Sequence, residues 1–187
     1  MNIYTSFILI CWIVFVCYWA FSATEAKKSK RLNARWFGFR LLLIIILVIY
    51  FETSFSVRFG TFHFSATASP ILSAIGALLC GAGIALAIWA RYHLGKNWGM
   101  PMTRREEPEL VTSGPYAYIR HPIYTGVIVA IIGSGFASGA GWLMVCVLYA
   151  GYFIVSAFVE EKTLSAEFPQ QYKEYKKHTK MLIPFVF

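Results

Sequence analysis

The chain has 187 residues, 58% of them hydrophobic and only 14% charged, against about 25% charged in a typical soluble domain. Its apolar runs are too long to hide inside so small a globule, which excludes an ordinary soluble fold and indicates a single all-α integral membrane domain. The net charge of +8 would suit nucleic acid, but the Lys and Arg residues lie between apolar runs, where membrane topology accounts for them and no nucleic-acid partner is implied.

The first apolar run extends from about Ile3 to Ala23, the ~20 residues a helix needs to span a bilayer. No basic residue precedes it, whereas Lys27, Lys28, Lys30, Arg31 and Arg35 follow. A cleaved signal peptide carries its charge on the other side, so this helix is expected to be retained. A second run goes from about Trp36 into the mid-50s, with Arg40 near its start placed to snorkel. The mildly polar stretch from Glu52 to Ser69 holds one basic residue, Arg58.

A third helix is expected after Pro70, from Ile71 to about Ala90. Its row Ser73, Ala77, Gly81 and Ala85 puts a small residue at every fourth position. That lets another helix approach closely, within the chain or in a dimer. Cys11, Cys17, Cys80 and Cys146 all fall inside apolar runs without a CxxC pair. They read as small helix residues, and neither a disulfide framework nor a metal site is expected.

Arg91 to Gly99 then leads into a polar cytoplasmic connector with Arg104, Arg105, Glu106, Glu107 and Glu109, the acidic trio reading as a solvated face. A fourth helix is expected from about Ile123 to Ala137, and Gly133 to Gly141 reads as a short turn. Its glycines superficially resemble a dinucleotide-binding loop, but no strand precedes them. A fifth helix runs from about Trp142 to Val159. From Glu160 to Lys180, the helical spacing of Phe168, Tyr172 and Tyr175 among many charges predicts an amphipathic helix at the membrane surface.

Five transmembrane helices put the termini on opposite faces. Six Lys and Arg residues follow the first run, five lie between Arg91 and Arg120, and five are in the tail; only Arg58 falls opposite. The positive-inside rule then places the connector and the C-terminus in the cytoplasm and the N-terminus outside.

Residues 110–126 stand out between the hydrophobic segments, with two Pro, two Gly, three Tyr, an Arg and a His. Gly114-Pro115 breaks regular structure, and Pro122 disfavours helical geometry at His121. The expected shape is a turn that presents Arg120 and His121 at the mouth of a membrane helix. Such a polar cluster is a candidate site; an interfacial belt of Tyr anchors and a snorkelling Arg is the plainer alternative. Because the fourth and fifth helices form an antiparallel hairpin, Glu160 returns to the depth of His121. A carboxylate, an imidazole and a guanidinium then converge near Tyr116, Tyr118 and Tyr124, enough to hold a zwitterionic ligand. A salt bridge from Arg120 to Glu160 or Glu161, pinning the hairpin, would also satisfy these residues.

The ordered set Gly114-Pro115-Tyr116-x-Tyr118-x-Arg120-His121-Pro122-x-Tyr124-x-Gly126, followed by Glu160-Glu161 and Glu167-Phe168-x-x-x-Tyr172-x-x-Tyr175, resembles the isoprenylcysteine carboxyl methyltransferase family. Its small prokaryotic members and the related phospholipid methyltransferases share this signature. Leu94-Gly95-x-Asn97-Trp98 is similar to a segment those small members carry after their third helix. The resemblance covers the chain from about Arg91 onward. It implies an S-adenosylmethionine-dependent methyltransferase in a prokaryotic inner membrane. Its catalytic core would span 70–187, and residues 1–69 would anchor it or shape a substrate entrance.

The resemblance also implies roles. The cofactor would lie in a pocket closed by the connector and the C-terminal helix. Leu110 and Val111 would contact it through backbone, Tyr116 would line it, and His121, Pro122, Ile123 and Tyr124 would form its wall. Glu160 would take the cofactor's ammonium group, since a zwitterion wants a carboxylate at one end and His or Arg donors at the other. The acceptor would be lipophilic, a prenylcysteine-like or other lipid carboxylate, entering laterally from the membrane lipids. Methyl transfer would rest on positioning and water exclusion.

One departure matters. Members that methylate a prenylcysteine carboxylate have an arginine four residues before the position of Glu160, and here it is Ser156. Arg120 is then the catalytic candidate for orienting that carboxylate. A lipid amine such as phosphatidylethanolamine is the alternative acceptor, with His121 or a glutamate as its base. An NADPH-dependent membrane reductase would show further basic residues for the 2′-phosphate, and a scaffold retaining the fold would bind no cofactor. His93 is a candidate for the pocket edge or a structural histidine, and Trp98 an interfacial anchor.

Overall fold

The computed structural model describes residues 2–23, 69–97, 109–138 and 141–184. The expected second helix, Arg58, Trp98, Glu106 and Glu107 lie outside the described residues. Those described form α1 (Ile3–Ala23), α2 (Pro70–Leu94), α3 (Pro122–Ser138), α4 (Gly141–Glu167) and α5 (Pro169–His178), with tight turns at Gly95–Asn97 and Gly114–Ala117.

Local chemistry sets the ends of these helices. Asn2 caps α1, its Oδ1 accepting from the Thr5 N–H at 2.9 Å. Prolines open α2, α3 and α5, where a missing N–H costs nothing. Gly95, at φ +50°, closes α2 and returns its N–H to the carbonyls of Arg91 and Tyr92. Arg91, only 2% exposed, donates to the Gly95 carbonyl at 2.7 Å and to the Ser22 carbonyl at 2.5 Å. One guanidinium thus satisfies acceptors at the C-terminal ends of two helices at once.

Small residues bring α2 and α3 together. A Cβ on Gly83 would lie 2.4 Å from the Gly126 carbonyl oxygen, and one on Gly76 would lie 2.5 Å from that of Gly133. The two helices are therefore antiparallel and pack backbone to backbone, as small-residue seams in membranes do. Of the expected row, Ser73 and Ala77 are buried, but Gly81 meets Phe7 of α1 and Ala85 is exposed. The seam itself runs through Gly76, Cys80, Gly83 and Ala87, a heptad-like spacing.

α1 runs parallel to α2, with Phe7 against Gly81 and Ser22 against Arg91. Only a stripe of α1 is engaged: Ile8 is buried, with Tyr4, Cys11, Trp12 and Phe15 packed beside it. Its other large side chains, among them Phe7, Ile10, Val16 and Phe21, are exposed. Ile3–Ser22 and Pro70–Leu94 are long and apolar enough to cross a bilayer, and this exposed apolar surface suits lipid.

Two expectations change at the hairpin. Gly133, Ser134 and Gly135 do not form a turn; they continue α3 through Ser138, because Gly133 is held against the Cys80 backbone of α2. The amphipathic helix expected from Glu160 to Lys180 is divided. α4 continues to Glu167, Pro169 starts α5, and helix ends at His178. The residue before a proline resists helical geometry, which puts the break at Phe168.

Candidate active site

Residues 119–121, between the Gly114–Ala117 turn and Pro122, belong to no helix, so their backbone groups need partners elsewhere. The segment after α5 supplies them. Ile119 and Lys180 form a single parallel bridge. The Arg120 N–H donates to the Lys180 carbonyl at 2.8 Å, and the His121 N–H to the Met181 carbonyl at 3.0 Å. The Thr125 hydroxyl reaches the Leu182 carbonyl at 2.7 Å, and the Tyr175 hydroxyl donates to the Tyr116 carbonyl at 2.6 Å. Met181 and Leu182 are buried with Ala157, beside Tyr124 and Ile154. Residues 179–182 are thus a strap across the mouth of the α3–α4 hairpin.

Beneath the strap lies the polar cluster. Arg120 Nε donates to Glu161 Oε1 at 2.6 Å and Nη1 to the Thr179 carbonyl at 2.5 Å. Lys176 reaches the other Glu161 oxygen at 3.3 Å. The His121 ring, 6% exposed, stands between the two glutamates, with Nδ1 3.6 Å from Glu160 and Nε2 3.7 Å from Glu161. Tyr124 donates to Glu160 Oε2 at 2.9 Å. Its ring lies parallel to His121, centroids 5.3 Å apart, and stacks on Phe153 at 4.9 Å.

The two carboxylates have different tasks. Burial would raise the pKa of Glu161, but its contacts with His121, Arg120 and Lys176 prevail and pull it down to about 2. Burial likewise disfavours the His121 imidazolium, yet Glu160 and Glu161 outweigh it and lift its pKa above the ordinary 6.5. Glu161 is therefore a fixed internal anion. The Glu160 side chain is 30% exposed against 10% for Glu161, so it is the carboxylate that a ligand can meet. His121 Nε2 is buried without a hydrogen-bond partner, as is the Tyr172 hydroxyl.

Eight residues after Glu160, at Phe168, begins the wall of an open cavity of about 600 Å³. Its walls are Glu109, Leu110, Val111, Thr112 and Ser113 on one side. His93, Phe168 and Gln171 complete it. The His93 ring closes against Gly114, whose φ of +60° and lack of Cβ allow the contact.

The sequence candidates divide between the two places. Leu110 and Val111 line the cavity; His121, Tyr124 and Glu160 meet in the cluster at the start of α3. Pro122 is buried and Ile123 half-buried beside them, while Tyr116 is buried with its carbonyl under Tyr175. Arg120, expected to face a substrate carboxylate, has Nε and Nη1 engaged inside the protein. Ser156 is 3% exposed and brings no charge. Sequence reasoning missed Glu109, Phe168 and Gln171 as cavity walls; only the turn residues on either side hinted at a bend there.

The model of the phospholipid methyltransferase family matches residues 71–171. Over 134 residues the chain is 31% identical to the cobalt-zinc-cadmium resistance protein of Cupriavidus metallidurans, covering 69% of this chain and 57% of that protein. It is 36% identical over 78 residues to methanethiol S-methyltransferase 1 of Bradyrhizobium diazoefficiens, 42% of this chain and 27% of that one. The chain therefore spans about a quarter to just over half the length of these relatives. It is also 31% identical over 85 residues to the protein-S-isoprenylcysteine O-methyltransferase of Schizosaccharomyces pombe, 44% of this chain and 36% of that one. The fold resembles that of a eukaryotic intramembrane Ras methyltransferase, the isoprenylcysteine carboxyl methyltransferase. The TM-score is 0.58 at 25% identity, over 79% of this chain and 53% of that chain.

Proposed function

Because the chain belongs to the phospholipid methyltransferase family, we propose that it is an integral membrane methyltransferase using S-adenosylmethionine on a lipophilic acceptor. The observation that carries this reading is the setting of Glu160. It is an accessible carboxylate between an imidazole and a Tyr–Phe stack. About two helical turns further on, at Phe168, begins the wall of a cavity within the range of about 300–1,000 Å³ common to small-molecule sites.

The residues fit the cofactor, which supplies an electrophilic methyl group on a sulfonium. Glu160 suits its ammonium group. His121, facing Glu160 through Nδ1 at 3.6 Å and Glu161 through Nε2 at 3.7 Å, balances the two carboxylates and orients Glu160. The Tyr124 hydroxyl holds Glu160 in place for the ammonium contact, and the cavity suits the nucleoside half. Arg120 we assign to positioning: it holds Glu161 and the strap, and so fixes where His121 sits. The strap and α5 exclude water from this end of the hairpin, which strengthens every charge contact inside.

The acceptor would enter between helices from the bilayer. A carboxylate acceptor is already ionised and needs no base, but it needs a cation, and Arg120 is engaged with Glu161. A lipid amine is therefore the second reading, favoured by that engagement and by the uncharged Ser156. We also keep five spans with a cytoplasmic site. In support, α1 and α2 run parallel, so Ala23 and Ser69 lie at opposite ends of the pair.

Calorimetric titration of the detergent-solubilised protein with S-adenosylmethionine and S-adenosylhomocysteine tests this. Micromolar binding is expected. Glu160→Gln should weaken it about 10- to 100-fold, the loss of a charge-assisted contact, and His121→Ala should weaken it too. Folded wild type that binds NADPH and neither of these ligands would instead be a reductase; binding of none would leave a scaffold.

A further inference from the structure

Glu109 is exposed, as the reading of a solvated acidic face expects. It stands on the cavity wall, and Asn97 Nδ2 donates to its Oε2 at 2.8 Å. A carboxylate only accepts, so the amide nitrogen must be the atom that faces it. The contact joins the turn that continues α2 to the first described residue after the connector. Among the described residues Asn97 is the hydrogen-bond partner of Glu109, bonded to one carboxylate oxygen, and the second oxygen has none among them. An exposed glutamate normally loses side-chain freedom when it meets a ligand; one already held by an amide loses less.

The remaining walls say what would meet that oxygen. Phe168 offers a flat apolar ring, Gln171 an amide on the first turn of α5, and Thr112 and Ser113 neutral hydroxyls. His93 Nδ1 lies 3.1 Å from the Trp89 carbonyl, and the ring edge that carries Nε2 packs against Gly114. Glu109 is the one acidic group in this set, and the cationic part of a cofactor already has Glu160. The cavity chemistry is that of a nucleoside: an aromatic base for the ring and the amide, and hydroxyls for the carboxylate.

We infer that Glu109, oriented by Asn97, accepts a ribose hydroxyl of the bound nucleoside and makes the site discriminate ribonucleosides from deoxyribonucleosides. This rests on the cofactor reading above. Hydrogen bonds to a charged acceptor are worth enough for a preference of about tenfold or more.

The full chain would be titrated calorimetrically with S-adenosylhomocysteine, its 2′-deoxy and 3′-deoxy analogues, and 5′-methylthioadenosine, which keeps the ribose and lacks the amino-acid end. Wild type should prefer S-adenosylhomocysteine to at least one deoxy analogue by about tenfold or more. Glu109→Gln should erase that preference and weaken 5′-methylthioadenosine as much as S-adenosylhomocysteine; Asn97→Ala should reduce the preference. Each ratio is taken on one protein sample, so partial misfolding cancels. An unchanged preference in Glu109→Gln overturns the inference while leaving the cofactor reading intact. So does a loss seen with S-adenosylhomocysteine but not with 5′-methylthioadenosine, which would assign Glu109 to the ammonium group. Folded wild type that binds none of the four ligands overturns both.

Discussion

Arg120 and Glu161, 41 positions apart, meet at 2.6 Å with side chains only 11% and 10% exposed. Removing either partner strips a largely buried charge of its closest ion-pair partner. Lys176 and His121 still face Glu161, so the loss should fall short of about 3–5 kcal/mol, the cost of a fully orphaned pair. Arg120→Met and Glu161→Met should each lower the thermal unfolding temperature in detergent sharply. The double variant should recover much of the loss, since an apolar pair leaves no orphaned charge. A double variant whose loss equals the sum of the two single losses would mean that the charges do not couple.

The same cluster sets a pH window. Glu161 is pulled from 4.5 to about 2, so its contribution is full above about pH 4.5 and disappears as pH falls toward 2. The pKa of His121 is raised from 6.5, so its contribution is full below that value and disappears as pH climbs through the raised one. Stability should therefore be greatest between about pH 4.5 and 6.5. His121→Gln should flatten the alkaline decline and also weaken the acid one, because His121 is among the groups that hold Glu161 down, as read from unfolding temperatures across pH.

At the α2–α3 seam, Gly83→Ala and Gly133→Ala should each destabilise by about 1–3 kcal/mol, the usual cost of overpacking. Their new Cβ atoms would meet backbone at 2.4 and 2.5 Å, which no side-chain motion can relieve. Gly151→Ala, with nothing within 4 Å, is the control and should unfold like the parent.

Tyr124 contributes both a hydroxyl and a ring. Tyr124→Phe removes the 2.9 Å bond to Glu160 and keeps the stack, so S-adenosylhomocysteine affinity should fall only about three- to tenfold. Tyr124→Ala also removes the ring between His121 and Phe153 and should cost distinctly more. Titration of the two variants side by side separates the parts; equal losses would leave the ring without a role in binding.

The relation between Glu160 and His121 was legible because a short hairpin leaves two antiparallel helices no other register, and the Arg120–Glu161 bridge was legible for the same reason. Gly133 to Gly135 misled because glycine marks turns in general and close helix contact in membranes, and only the partner helix decides which. The strap was read as helix because Tyr172 and Tyr175 carry a helical period up to His178. What ends it is pairing with residues 118–121, a long-range contact with no local signature. Glu109 is solvated, as a run of charge suggests, but the hydrogen bond from Asn97 that gives the side chain its direction has no local signature.

The strap also imposes an order on biogenesis. Arg120 and Thr179 lie 59 positions apart, and translation at about 5–20 residues per second separates their emergence by seconds. Throughout that interval α3 can be inserted, yet the N–H groups of Arg120 and His121 still lack the carbonyls of Lys180 and Met181. The nascent protein thus reaches the bilayer with its mouth unlaced. A message interrupted a few codons before Leu182 would yield a chain that has its membrane helices but not the clamp that shapes the site.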